Sequence, residues 1–132
     1  MPYIILFSIL NFSSPSFAEK TTAKSITVKI GGVEENYTGQ IDRKVVRNLI
    51  GGLKKKFLEC HKSEGQPALA GTLVMNFEIS SDGRVAKYFT KSTTLNSPKL
   101  EGCIEAEIAE VQFPTLPQDA VAVVDFPISY QP

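Results

Sequence analysis

Apolar residues recur along this chain with two different periods, and the changes between them mark out its elements. From Lys24 to Ile30 the sequence Lys-Ser-Ile-Thr-Val-Lys-Ile puts Ile26, Val28 and Ile30 on one face and stops at Gly31-Gly32, which predicts a short strand or extended arm. Val33 to Ile41 is polar, with one Tyr and one Gly, and reads as a loop with room for a second short strand. Asp42 then offers a carboxylate to the unpaired N–H groups that open a helix. A 3.6-residue period carries that helix to about Ser63, with Val45, Val46, Leu49, Leu53, Phe57 and Cys60 in one stripe and Lys54, Lys55 and Glu59 away from it. Gly51 and Gly52 lie in its middle and cost about 1 kcal/mol each against Ala. The helix therefore needs tertiary packing, with close approach to a sheet or a kink as the two readings of the glycine pair.

Beyond Gln66-Pro67 the period falls to two. Gly71 to Ser80 alternates with Leu73, Met75, Phe77 and Ile79 on one face, Ser81-Asp82-Gly83-Arg84 is a hairpin signal, and Val85 to Thr93 returns as the antiparallel partner. Ser97-Pro98 places a capping hydroxyl before a proline at the first helical position. A helix from Pro98 to about Gln112 follows, with Leu100, Ile104, Ile108 and Val111 inward and Cys103 at the edge of that face. Phe113-Pro114 and Pro117 end it, and Ala120 to Tyr130 is a last strand. Pro127 within that strand has no N–H to donate, which predicts an edge or a bulge. Helix, strand, strand, helix, strand is the order from Asp42 onward. It predicts an α+β domain of two helices packed on one face of a three-stranded antiparallel sheet, with an N-terminal strand or arm before it.

Composition fits one such domain: 132 residues, of which 21% are charged and 42% hydrophobic. The 14 basic and 14 acidic side chains cancel and are interspersed apart from Lys54-Lys55-Lys56, so no footprint for nucleic acid is present. Met1 to Ala18 is uncharged and contains the apolar run Tyr3 to Leu10, followed by Ser-rich sequence and Ser16-Phe17-Ala18. That run is about half of the roughly 18 apolar residues a membrane-spanning helix needs, so it reads as a cleaved signal peptide over residues 1–18 and not as a permanent span. A signal peptide normally carries a positive charge near its start, which suggests that a few residues precede Met1. No Cys stands at the expected cleavage site to take a lipid. The mature chain, beginning near Glu19 with residues 19–41 as the arm and 42–132 as the domain, is expected in the periplasm or outside the cell. There its two cysteines, Cys60 and Cys103, permit one intrachain pairing.

Several pieces of the chain together resemble the AgmX/PglI C-terminal domain family, itself related to the C-terminal domain of the energy transducer TonB. They are Cys60 ending the first helix, Leu69-Ala70-Gly71 opening a strand, and Phe77 to Val85 in the hairpin. After these come Ser92-Thr93-Thr94-Leu95, Leu100-Glu101-Gly102-Cys103-Ile104 in the second helix, and Phe113-Pro114 before the last strand. The resemblance spans about Val45 to Tyr130 and implies the TonB-like version of the fold above. The chain departs from the family pattern at His61 and Val111, where aromatic residues are usual, and at Gln118-Asp119-Ala120, where glycines are. It is also expected to stand free of the upstream anchor and linkers of the family's long parents, and so not to transmit force by itself.

Candidate chemistry is sparse. The cysteine pair is read as a structural disulfide over a redox or metal site, because its spacing is far from Cys-x-x-Cys and one His cannot complete a zinc set. His61 is expected to be an exposed helix-end residue and not a general base, since no nucleophile stands beside it in a recognisable motif. Lys54-Lys55-Lys56 could face an anionic surface, with a solvated helix face as the default. Glu101, Glu105, Glu107 and Glu110 are likewise read as solvated. No catalytic set, metal set, phosphate cradle or cofactor is expected, and the chain is read as a non-enzyme. Two functions remain. One is a module that pairs an extended peptide of an envelope protein with the edge of the last strand, with Val121, Val123 and Asp125 as the contacting residues. The other is a structural accessory subunit of an envelope motility or secretion machine.

Overall fold

The computed structural model describes residues 26–64 and 69–132; the expected signal peptide, and with it Lys24 and Ser25 of the first strand, lie outside them. The elements are β1 (Thr27–Ile30), β2 (Asn36–Thr38), α1 (Arg43–Gly51), α2 (Lys54–Glu64), β3 (Gly71–Ile79), β4 (Val85–Thr93), α3 (Pro98–Ala109) and β5 (Ala122–Gln131). The fold is α+β. Its sheet is antiparallel throughout and has five strands, in the order β1-β5-β3-β4 with β2 also paired to β5. The hairpin and the last strand form the expected three-stranded part; the N-terminal segment, expected as a strand or arm followed by a loop with room for a second short strand, supplies β1 and β2 and joins them to the same sheet.

That addition changes the place of β5. Thr27–Ile30 pairs with Gln131–Ile128 and Asn36–Thr38 with Asp125–Val123, while the other side of β5 pairs with β3 along its whole length. The last strand is therefore central, not an edge. Pro127 is tolerated there because β1 and β2 form one outer strand that is interrupted opposite it. Gly31, at φ 89°, turns the chain out, and its N–H meets the Pro127 carbonyl at 3.0 Å.

Alternation along β3 and β5 builds the core. Leu73, Met75, Phe77 and Ile79 sit across from Ile128, Phe126, Val124 and Ala122. This buried face packs against Val46, Ile50 and Phe57 of the first two helices and Leu100, Ile104 and Ile108 of the third. The predicted long helix is two helices. Leu53 N–H bonds to the Ile50 carbonyl at 2.9 Å, a tight i to i+3 turn at Gly51-Gly52, before regular bonding resumes from Phe57 to Leu53. The kink is thus the reading that holds, as expected where paired glycines remove the side chains that stiffen a turn. The third helix ends at Ala109, short of Gln112, because Glu110 and Val111 also close i to i+3 turns.

Both predicted caps are present: Asp42 accepts from Lys44 N–H at 2.8 Å and Ser97 from Leu100 N–H at 3.3 Å. The hairpin turn is held by Asp82, whose carboxylate accepts from the Ser80 hydroxyl at 2.6 Å and from Arg84 N–H at 3.1 Å. Gly83 has φ 86°, and a Cβ there would collide with the Phe113 carbonyl oxygen. Phe113 N–H in turn bonds to the Gly83 carbonyl at 2.9 Å, so the turn is clamped to the chain leaving α3.

Candidate functional site: the outer edge of the sheet

The residues of β4 alternate without forming an apolar face, because Tyr88 and Phe89 are adjacent and point to opposite sides of the sheet. Such a strand cannot be buried on both sides. It takes the edge beyond β3, and no described strand pairs with its outer side. An edge of this kind presents unpaired N–H and C=O groups to whatever approaches. At nine residues it is longer and more continuous than the opposite edge, which the Gly31–Glu35 loop divides.

Two bulges shape it. Val74 pairs with Ser92 and Met75 with Thr90, leaving Lys91 extra; Glu78 pairs with Lys87 and Ile79 with Val85, leaving Ala86 extra. Bulges bend an edge strand and end regular pairing, so the regular run is Lys87 to Thr90. Tyr88 and Thr90, opposite Phe77 and Met75, share the helix side of the sheet, while Lys87 and Phe89, opposite Glu78 and Asn76, lie on the other face. Tyr88 is 44% exposed and Phe89 54%. The Thr90 hydroxyl donates to Glu105 Oε2 at 2.7 Å and fixes α3 above this strand.

At its bulge Lys91, itself exposed, reaches over the face of the sheet away from the helices. Lys91 Nζ donates to Asp125 Oδ2 at 2.7 Å, and Asn76 Nδ2 donates to Asp125 Oδ1 at 2.7 Å, so one carboxylate joins β4, β3 and β5. Burial alone would raise the Asp125 carboxyl, but hydrogen bonds from Lys91 and Asn76 and the lysine charge outweigh it and hold the group below its ordinary value. A depressed folded-state value means that this contribution is complete above the unfolded carboxylate range near pH 4 and is lost as pH falls through the folded value. Asp125→Asn is expected to cost about 1–2 kcal/mol at pH 7. It should also flatten the loss of stability between about pH 5 and pH 2, read from urea midpoints. Equal acid sensitivity in the variant would show that the Lys91 pair contributes nothing.

Of the residues expected at the partner contact, Val121 is exposed but precedes β5, Val123 is half-buried between Thr38 and Glu78, and Asp125 is only 7% exposed. They do not form an open edge, because β2 occupies it. His61 also departs from expectation: it is 5% exposed, its Nε2 lies 2.8 Å from the Leu69 carbonyl, and its ring is tilted against Tyr130 at 5.0 Å. The return of the chain into β3 brings Leu69 over the end of α2. Tyr130 itself donates to the Phe57 carbonyl at 2.7 Å, and burial pushes its phenol up.

Cys60 and Cys103 are bonded, with Cα atoms 5.8 Å apart, and tie α2 to α3. Lys54, Lys55 and Lys56 are exposed, and Lys56 lies 3.7 Å from Glu107 across the same pair of helices. A cluster that no sequence pattern marks centres on Glu35, which accepts from the Tyr37 hydroxyl at 2.7 Å, Arg47 Nε at 2.8 Å and Gly32 N–H at 2.8 Å. It pins the loop between β1 and β2 to α1. Burial works against the Glu35 charge, yet these bonds keep its carboxyl below the ordinary value.

Among the described residues no helix is long and apolar enough to cross a membrane. No protein-family model, curated protein or solved structure matches the chain.

Proposed function

We propose that the chain is a non-enzymatic protein-interaction domain of the bacterial periplasm that takes up an extended segment of an envelope protein by strand addition, on the outer edge of β4. The observation that carries this reading is a nine-residue strand with an open side and two large apolar side chains, Tyr88 and Phe89, half in water. Main-chain pairing along such an edge supplies affinity, and side chains on alternate sides supply choice of partner. The Cys60–Cys103 bond suits an oxidising compartment, and the secretory pattern of Met1–Ala18 agrees with it. The resemblance to the AgmX/PglI and TonB C-terminal domains favours the same mode of binding.

The test uses a photo-crosslinking side chain at position 89, with position 33 as control, since Val33 is 98% exposed in the loop on the other side of the sheet. Irradiation in envelope extract should link a discrete protein to position 89 and not to position 33. Equal capture at both positions, or capture at 33 alone, would remove β4 as the binding edge.

A further inference from the structure

We infer that the segment accepted by β4 alternates basic and apolar residues, with the basic ones turned toward α3; this rests on the strand-addition reading above. The two flanks of α3 differ. Cys103 and Glu107 face α2, as the disulfide and the contact with Lys56 establish. Glu105 faces the sheet edge, as its bond from Thr90 establishes, and Glu101 lies one turn before it on the same side. Among the described residues neither Glu101 nor Glu105 has a Lys or Arg within ion-pair distance.

A strand added to β4 would run about 4.8 Å beyond it. Its residues on the helix side would pass Tyr88 and Thr90 beneath these two carboxylates, and those on the other side would pass Phe89. A Lys or Arg on the first side meets carboxylates that have no ion-pair partner among the described residues. An apolar residue on the second removes exposed ring surface from water. A second copy of the chain paired through its own β4 would instead bring two sets of Glu101 and Glu105 together, a like-charge arrangement that disfavours self-pairing.

The experiment compares three labelled peptides of about eight residues: Thr-Lys-Val-Lys-Val-Lys-Val-Thr, the same peptide with Gln for each Lys, and the same with Glu for each Lys. Each is titrated into the oxidised protein by fluorescence anisotropy, with amide shifts of Tyr88 to Lys91 followed by NMR. The lysine peptide should bind about fivefold more tightly than the glutamine peptide, the size expected of two screened ion pairs, and the glutamate peptide more weakly than both. Glu101→Gln with Glu105→Gln should make the lysine and glutamine peptides equal, and in the unaltered protein about 0.5 M salt should do the same. Equal affinities in the unaltered protein at low salt, with β4 amides shifted, would overturn the charge preference and leave strand addition standing. No β4 shift with any peptide would overturn both.

Discussion

Breaking the bond between Cys60 and Cys103 is expected to lower stability by about 4 kcal/mol, because the bridge closes a loop between residues 43 apart and restricts the unfolded chain accordingly. For a domain of this size that is a large share of the usual margin. Cys60 is buried in the main core and Cys103 packs at its edge, so the bridge lies between α2 and α3 and not at a strand end. Urea titrations of the oxidised protein, the reduced protein and the Cys60→Ala, Cys103→Ala double variant would measure the effect. Hydrogen exchange on the reduced form should rise first in α2 and α3, while β3 and β5, which pair along their whole length, should hold longest. A change in stability below about 1 kcal/mol would show that the helices are held by Ile50, Phe57, Leu100 and Ile104 alone and that loop closure is already achieved in the unfolded state.

Val123→Pro is expected to cost on the order of 3 kcal/mol, although Val123 is itself only half-buried. The reason is its position. Val123 pairs with Thr38 on one side and Glu78 on the other, so a proline removes a ladder donor from a strand held on both sides and sets its ring between paired strands. Phe89→Ser, on the open edge, should by contrast stay within about 1 kcal/mol of the unaltered protein while weakening partner capture. Thermal and urea unfolding of the two variants side by side provide the check. A well-folded Val123→Pro protein of normal stability would mean that β2 does not pair with β5 in solution, and the C-terminal strand would again have an open side.

These two substitutions mark where local pattern stops being informative. Alternation at Leu73, Met75, Phe77 and Ile79, the Asp82-Gly83 turn, the caps at Asp42 and Ser97, and the inward row Leu100, Ile104, Ile108 are all properties of neighbours in the chain, and all were legible. The glycine pair was legible as a choice between close approach and a kink, and the tight turn at Leu53 decided it. Tyr88-Phe89 carried a signal of its own: adjacent aromatics in a strand that after Val85 is otherwise made of Ala, Lys, Thr and Ser give no continuous face to bury, which marks an edge.

By itself, then, the sequence determined the α+β class, the order of the main elements, two of the three helix starts and the β3–β4 hairpin, since propensity, capping and periodicity act over a few residues. Only the tertiary structure decided which strand lies in the middle, because pairing joins residues far apart: Thr27 with Gln131, Tyr37 with Val124. The same long-range closure buried His61 beneath Leu69 and drew Lys91 across to Asp125. It also moved the open edge from the last strand to β4, since the short polar segment Asn36–Thr38 gains its stability from the ladder it joins and not from any pattern of its own.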